Sequence, residues 1–228
     1  MRSGVRVAGT MSRSCDMYRS RWASCRAKAM TCRFDAIQGA VTLAKLVDRY
    51  RTVYRPSARA ELAYYGSLPT LAEAVRRAGR AERPDGKRHD HQTRIRRAAL
   101  AEAGRRLEKL DLRSSRTFRA LHDAVERAIG SIAGIGELMV YDTALRIGAR
   151  LRLKPDVVYL HAGTRAGAMA LGLEGGACYL EPVLLPAPLH RLRPHELEDF
   201  LCIFKDELAR QIDLRAPGGR SERRWAQA

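Results

Sequence analysis

From residue 35 onward the apolar side chains recur at three- and four-residue steps, a spacing that restricts the chain to stacked amphipathic helices. Over 36–54, Ile37, Val41, Leu43, Ala44, Leu46, Val47 and Tyr50 form one stripe, and Pro56 is the expected stop. Ser57 can cap a short helix ending near Gly66. Thr70 and Glu73 have capping-box spacing, each able to satisfy the other's exposed backbone N–H, and the helix they open stops at Gly79. A charged loop follows, punctuated by the Pro84-Asp85-Gly86 turn. Helices are then expected over 93–110, from a Ser114 or Ser115 cap to Arg127 with an end at Gly130, over 162–171, and over 194–212. The short apolar run 157–160 reads as one buried helical turn rather than a strand. The fold class is therefore all-α, a multi-helix array, with residues 35–212 forming one helical domain in two lobes (35–130 and 131–212).

Charge points to the partner. The 228 residues carry a formal +17, and 36 of the 42 basic residues are Arg, whose planar fork suits phosphate. A polyanion is the leading partner for such a chain, and an anionic membrane surface shares the same attraction. Residues 1–34 hold +7 of that charge and are Arg- and Ser-rich, acid-poor and without a clean amphipathic period, so a disordered extension is expected there. Met11, Met17 and Met30 offer later starts. Residues 213–228 form a basic tail. No apolar run approaches the roughly 18 residues of a spanning helix, so no membrane partner is expected. Five cysteines without metal or disulfide spacing read as reduced thiols of a cytoplasmic protein, with Cys178 and Cys202 in the core.

The sharpest motif is central. Residues 132–149 place Gly134, Ile135 and Gly136 ahead of a helix with Val140, Ala144, Ile147 and Ala149 on its inner face. Two glycines permit a tight hairpin and close approach to a phosphate, Ile135 plugs the gap between helices, and the helix's first amides, at Glu137 and Leu138, meet the phosphate oxygen. Met139 stands where a dinucleotide fingerprint needs its third Gly. This pattern resembles the helix-hairpin-helix motif. With the helical run before it and the segment from His161 to Leu173, the chain resembles the base-excision DNA glycosylases of the helix-hairpin-helix superfamily, over about 120–140 residues by layout. The resemblance implies DNA binding. It also marks two departures: His161 stands at the position of that family's catalytic Asp, and Leu138 at the position of its lyase Lys.

A protonated imidazole would oppose the positive charge that glycosidic cleavage develops, so His161 is no simple replacement for Asp; as a neutral base it can activate water. Asp156 and Asp142 are the other candidate catalytic carboxylates. For Asp142 the competing reading is an i,i+4 pair with Arg146, and for Asp156 a helix cap. Arg88, His89, His91 and Arg94 form a phosphate-probing loop, and Arg165 joins the hairpin as a DNA contact. His89 and His91, two apart in a loop, do not have metal-ligand spacing, and neither metal nor cofactor is implied. Three functions follow: a non-catalytic duplex-DNA-binding protein, an active glycosylase with an altered site, and a helical RNA-binding or interaction protein.

Overall fold

The computed structural model describes residues 42–173 and 175–213, with side chains to 210; the leading basic segment and the basic tail lie outside the described residues. Helix α1 (Leu43–Arg49) opens on Thr42, whose Oγ1 accepts the Lys45 N–H at 3.3 Å. It does not stop at Pro56. The helix widens into one π turn, Tyr50–Tyr54, and continues as α2 (Arg55–Ser67). The π turn sends the Arg55 N–H five residues back to the Tyr50 carbonyl. Pro56 thereby falls in the first turn of α2, where its fixed φ fits and its missing donor costs least.

Helix α3 (Leu71–Gly79) is capped by Thr70, which accepts the Glu73 N–H at 3.1 Å. Only half of the expected capping box forms, because the Glu73 carboxylate accepts from Arg77 Nε at 3.0 Å. Helix α4 (Arg97–Leu107) starts later than the expected residue 93, since residues 90–92 make a separate 3₁₀ turn. Helix α5 (Phe118–Ile129) is capped by Thr117 and not by Ser114 or Ser115; Ser114 closes another 3₁₀ turn. Helix α6 (Glu137–Leu151) ends on Arg152 in the left-handed region at φ 60°.

The expected helical turn at 157–160 is instead extended. Strand β1 (Val158–Tyr159) pairs antiparallel with β2 (Tyr179–Leu180), Val158 opposite Leu180, and helix α7 (Ala162–Ala170) lies between them in sequence. Two β-branched or aromatic residues too few to alternate gave no strand signal, and their partners lie about twenty residues away. Helix α8 (Pro194–Asp213) closes the described chain. Apart from this two-residue ladder the elements of the described residues are helical, an all-α fold.

Two apolar cores result. The first joins Tyr65 and Leu68 at the end of α2 to α3, α4, α5 and α6 through Val75, Leu100, Leu107, Leu121, Val125 and Ile147. The second joins α1 to the ladder, α7 and α8 through Leu46, Tyr50, Val158, Phe200 and Phe204. The sequence split at residue 130 is therefore not where the cores divide: α6 belongs with the helices before it, and α1 packs with the C-terminal ones. Between α7 and α8 the backbones nearly touch, and a Cβ added at Gly167 would lie 2.2 Å from the Leu201 carbonyl oxygen. Cys202 is a free thiol pushed up to about 11 by burial. No described helix is long and apolar enough to cross a membrane.

Candidate nucleic-acid interface

Helices α5 and α6 are joined by residues 130–136. Gly134 sits at φ +92°, a value that L side chains rarely adopt, and Gly136 is extended at φ −107° as the N-cap of α6. A Cβ at either glycine would meet nothing within 4 Å, so this backbone is open to solvent. Ile135 between them is buried, held by its N–H to the Ile132 carbonyl at 2.9 Å. The first helical bond of α6 runs from the Val140 N–H to the Gly136 carbonyl at 3.1 Å. The amides of Glu137, Leu138 and Met139 therefore have no intrahelical acceptor, and Gly136 supplies no side-chain cap. Beside them, Arg165 on α7 donates to the Leu160 carbonyl at 2.9 Å and to Glu137 Oε1 at 3.4 Å.

Behind the turn at 130–136, α6 carries a buried ion network. Arg146, 2 % exposed, donates from Nε to Glu61 Oε1 on α2 at 2.8 Å and from Nη1 to Gln92 Oε1 at 3.0 Å. Gln92 Nε2 donates to Asp142 Oδ2 at 2.7 Å, and His91 Nε2 approaches the same oxygen at 2.9 Å. Burial pushes the Asp142 carboxyl up, but Arg146 and the His91 hydrogen bond hold it below its ordinary value. The same hydrogen bond raises His91. His89 is buried beside Arg146, which together lower it to about 4, so its ring is neutral. Its Nε2 has no hydrogen-bond partner among the described residues and lies 3.5 Å from Glu61 Oε1.

A second buried cluster faces this one across the boundary between the cores. His161 is the N-cap residue of α7. Its Nε2 meets Glu198 Oε1 of α8 and lies 2.7 Å from Thr164 Oγ1, which also donates to Glu198 at 3.2 Å. Burial raises Glu198, with His161 opposing. Burial and the charge of Glu198 push the neighbouring Asp199 up to about 7, although Tyr50 donates to it at 3.0 Å. The two clusters sense each other electrostatically: His161 helps lower Asp142, and Asp142 helps raise Glu198. Tyr141 on α6 carries a buried hydroxyl without a hydrogen-bond partner among the described residues, and Glu198, Asp142 and Asp199 all raise it beyond the effect of burial.

Of the three candidate catalytic residues, His161 and Asp142 thus share a neighbourhood. Asp156 does not; it is exposed in the turn before β1, and its charge acts on Tyr159. The residue that sequence reasoning missed is Glu198. It stands between Leu197 and Phe200 at the edge of the apolar stripe of α8, an acid where helical spacing calls for a half-buried side chain. His161 and Glu198 are both under 10 % exposed, which closes this pair to bulk water in the free chain.

The predicted DNA-contact residues separate into two groups. Gly134, Gly136, Glu137 and Arg94 are exposed, and Leu138 and Arg165 half-buried. In the charged loop, His91 is exposed but occupied by Asp142, Arg88 donates to the Ile95 carbonyl at 2.8 Å, and His89 is buried. The side chains of Arg88 and His89 are turned inward, because the turn at Gly86 (φ +76°) and the bridge between Glu82 and Arg88 fold the loop back onto α6. His89 and His91 each face a different carboxylate and do not converge on a metal. His122, Asp123 and Glu126 on α5 do bring their ligand atoms within 4.8 Å of one another. Arg119 and Arg127 both act on Asp123, so the cationic neighbourhood of that cluster disfavours a cation. No protein-family model, curated protein or solved structure matches this chain.

Proposed function

We propose that this protein binds duplex DNA by its phosphate backbone, with the turn at 130–136 and the amide end of α6 as the grip, and without removing a base. The carrying observation is the combination of two solvent-open glycines, one at positive φ, with helix amides that no described residue caps. A helix N-terminus with its dipole favours an anion, and backbone donors with no Cβ in the way reach a phosphate oxygen directly. Such contacts fix register on the duplex without reading sequence. The formal +10 on residues 35–228 supplies the long-range attraction. Arg165 lies beside the same amides and offsets Glu137, the acid at the mouth of the grip.

Gly136 is the discriminating position. Its extended backbone accepts any residue, so Gly136→Val leaves the turn unstrained while its branched side chain shields the amides. Duplex affinity should fall at least tenfold, since losing one hydrogen bond to a charged group costs about 1.5 kcal/mol or more. Binding by the native chain should also weaken steeply with salt. Equal affinity of Gly136→Val and the native chain, at matched salt and unchanged helical circular dichroism, removes the hairpin from the reading. Stronger competition by a folded RNA than by duplex DNA would move the partner from DNA to RNA.

A second reading, base excision with an altered site, is favoured by the His161–Glu198 pair at the start of α7 facing Asp142. A carboxylate from α8 would there supply what the missing Asp does not. It requires the closed pair to open around an extruded base. Incubation with modified-base duplexes followed by hot-alkali cleavage separates the readings: abasic product that disappears in Glu198→Gln or His161→Ala favours excision, and no product on any duplex favours binding alone.

A further inference from the structure

A cleft of about 450 Å³ opens between α2, α6 and the first turn of α8, within the 300–1,000 Å³ typical of small-molecule sites. Its floor is apolar, built from Leu62 on α2, Leu145 and Ala149 on α6, and Leu153 beyond α6, with the exposed Ala63 also lining it. Its rim carries Arg59, Lys154, Arg193 and His195, and Glu196 also lines it. Glu196 is buried and already answered: Arg55 Nε lies at 3.1 Å, Arg59 donates at 3.2 Å, and the Arg193 N–H at 3.0 Å. One carboxylate thus faces two guanidinium groups. The side chains of Lys154 and Arg193 have no hydrogen-bond or ion-pair partner among the described residues, so the rim holds positive charge that no described residue neutralises. Burial, with Arg193, Lys154 and Arg59 adding to it and Glu196 opposing, holds His195 below its ordinary value. The ring is therefore neutral at about pH 7, and its hydrogen-bonding nitrogen adds no further charge.

The geometry points to a site for a small organic anion, with a carboxylate or phosphate monoester head on Lys154 and Arg193 and an apolar or aromatic body against Leu62, Leu145 and Leu153. An apolar floor with convergent polar groups at one edge is the ordinary form of such a site. A free inorganic anion would leave the floor unused, and an uncharged body would leave two cations unanswered. The cleft is separate from the DNA grip. Leu145 lies eight residues along α6 from Glu137, about 12 Å by the helical rise.

Titration calorimetry tests this with four probes: adenosine 5′-monophosphate, 4-phenylbutyrate, adenosine and inorganic phosphate. One of the two amphiphilic anions should bind saturably by millimolar concentration, and which one does so distinguishes a phosphate from a carboxylate head. Adenosine and inorganic phosphate should each bind at least about tenfold more weakly, the signature of two parts contributing together. Lys154→Ala with Arg193→Ala should weaken binding about tenfold or more, and both positions are at the surface, where folding tolerates the change. Ala63→Phe, which places a ring in the cleft, should abolish binding while duplex-DNA affinity stays unchanged. Gly136→Val should leave probe binding intact, so failure of the cleft and failure of the DNA grip give different results. The site is overturned if neither amphiphile saturates, if inorganic phosphate binds equally well, or if the charge variant and Ala63→Phe both bind as the native chain does.

Discussion

Arg146→Met removes the guanidinium that joins Glu61, Gln92 and Asp142 in the buried network while keeping much of the side-chain volume. Arg146 is 2 % exposed and touches Glu61, Gln92 and Asp142 at 2.8, 3.0 and 3.6 Å. Removing one partner of a buried ion pair costs roughly 3–5 kcal/mol, because the charge left behind is uncompensated. Two features place this case at the lower end. Asp142 keeps Gln92 Nε2 at 2.7 Å and His91 Nε2 at 2.9 Å, and the Glu61 side chain is 31 % exposed and regains water. The expected loss is therefore about 3 kcal/mol at neutral pH, read by urea titration of the helical circular dichroism signal with an unchanged m value. The pH dependence adds a second check. In the native chain Asp142 titrates below its ordinary value, so its stabilisation is present at neutral pH and lost as pH falls through that depressed value. Without Arg146, burial becomes the leading influence and the folded carboxyl titrates above the unfolded one. Protonation then favours the folded variant, and its deficit should shrink between about pH 7 and pH 4. Adding Asp142→Asn should recover part of the loss, non-additively, because the two side chains share the network. A single variant within about 1 kcal/mol of the native chain at neutral pH refutes the assignment of this network as a clamp.

Other substitutions probe separate features. Gly134→Ala should cost about 1–2 kcal/mol through its +92° φ and Gly136→Ala about 0.5–1 kcal/mol because alanine is a poorer N-cap than glycine, a ranking that thermal melting resolves. Gly167→Ala should cost about 2 kcal/mol or more, since its Cβ would overlap the Leu201 carbonyl and force α7 from α8; an unchanged denaturation midpoint contradicts that crossing. Asp199 titrates near pH 7 in the fold and near 3.8 when unfolded, so its charged form destabilises increasingly as pH rises between those values. Asp199→Asn should melt a few degrees higher than the native chain at about pH 8 and show no gain at about pH 4. Thr117→Ala should cost about 1 kcal/mol by uncapping α5, with no effect on the midpoint as the contrary result.

Local chemistry is what the sequence made legible. Thr70 ahead of Glu73 gave a true cap, the small residues at 162–170 gave α7, and of the two glycines expected at positive φ Gly134 adopts it at +92° while Gly136 is extended. What escaped has partners far along the chain. Val158 and Leu180 form a ladder too short to alternate. Pro56 reads as a stop unless the i→i−5 bond before it is known. Asp142 was paired with Arg146 on sequence spacing, and they do lie 3.6 Å apart, but the shorter bonds reach Gln92 and Glu61, 50 and 85 residues from their partners. Glu198 was passed over for the same reason. Its carboxylate has no local partner in sequence, and His161 lies 37 residues earlier. Helical periodicity reports which face of an element is buried and not which polar group waits on the other side.

The π turn at Tyr50–Tyr54 also sets a phase. It lies in the single rod that leaves one core as α1 and enters the other as α2, and a π turn holds one residue more than the regular helix around it. Each helical residue turns the chain by about 100°, so deleting one residue there would rotate α1 by that angle relative to α2. Tyr50, buried against Phe200 and bonded to Asp199, would then swing away from α8 while Glu61 still faced Arg146. The extra residue acts as a torsional spacer, keyed so that both ends of one rod can be seated at once.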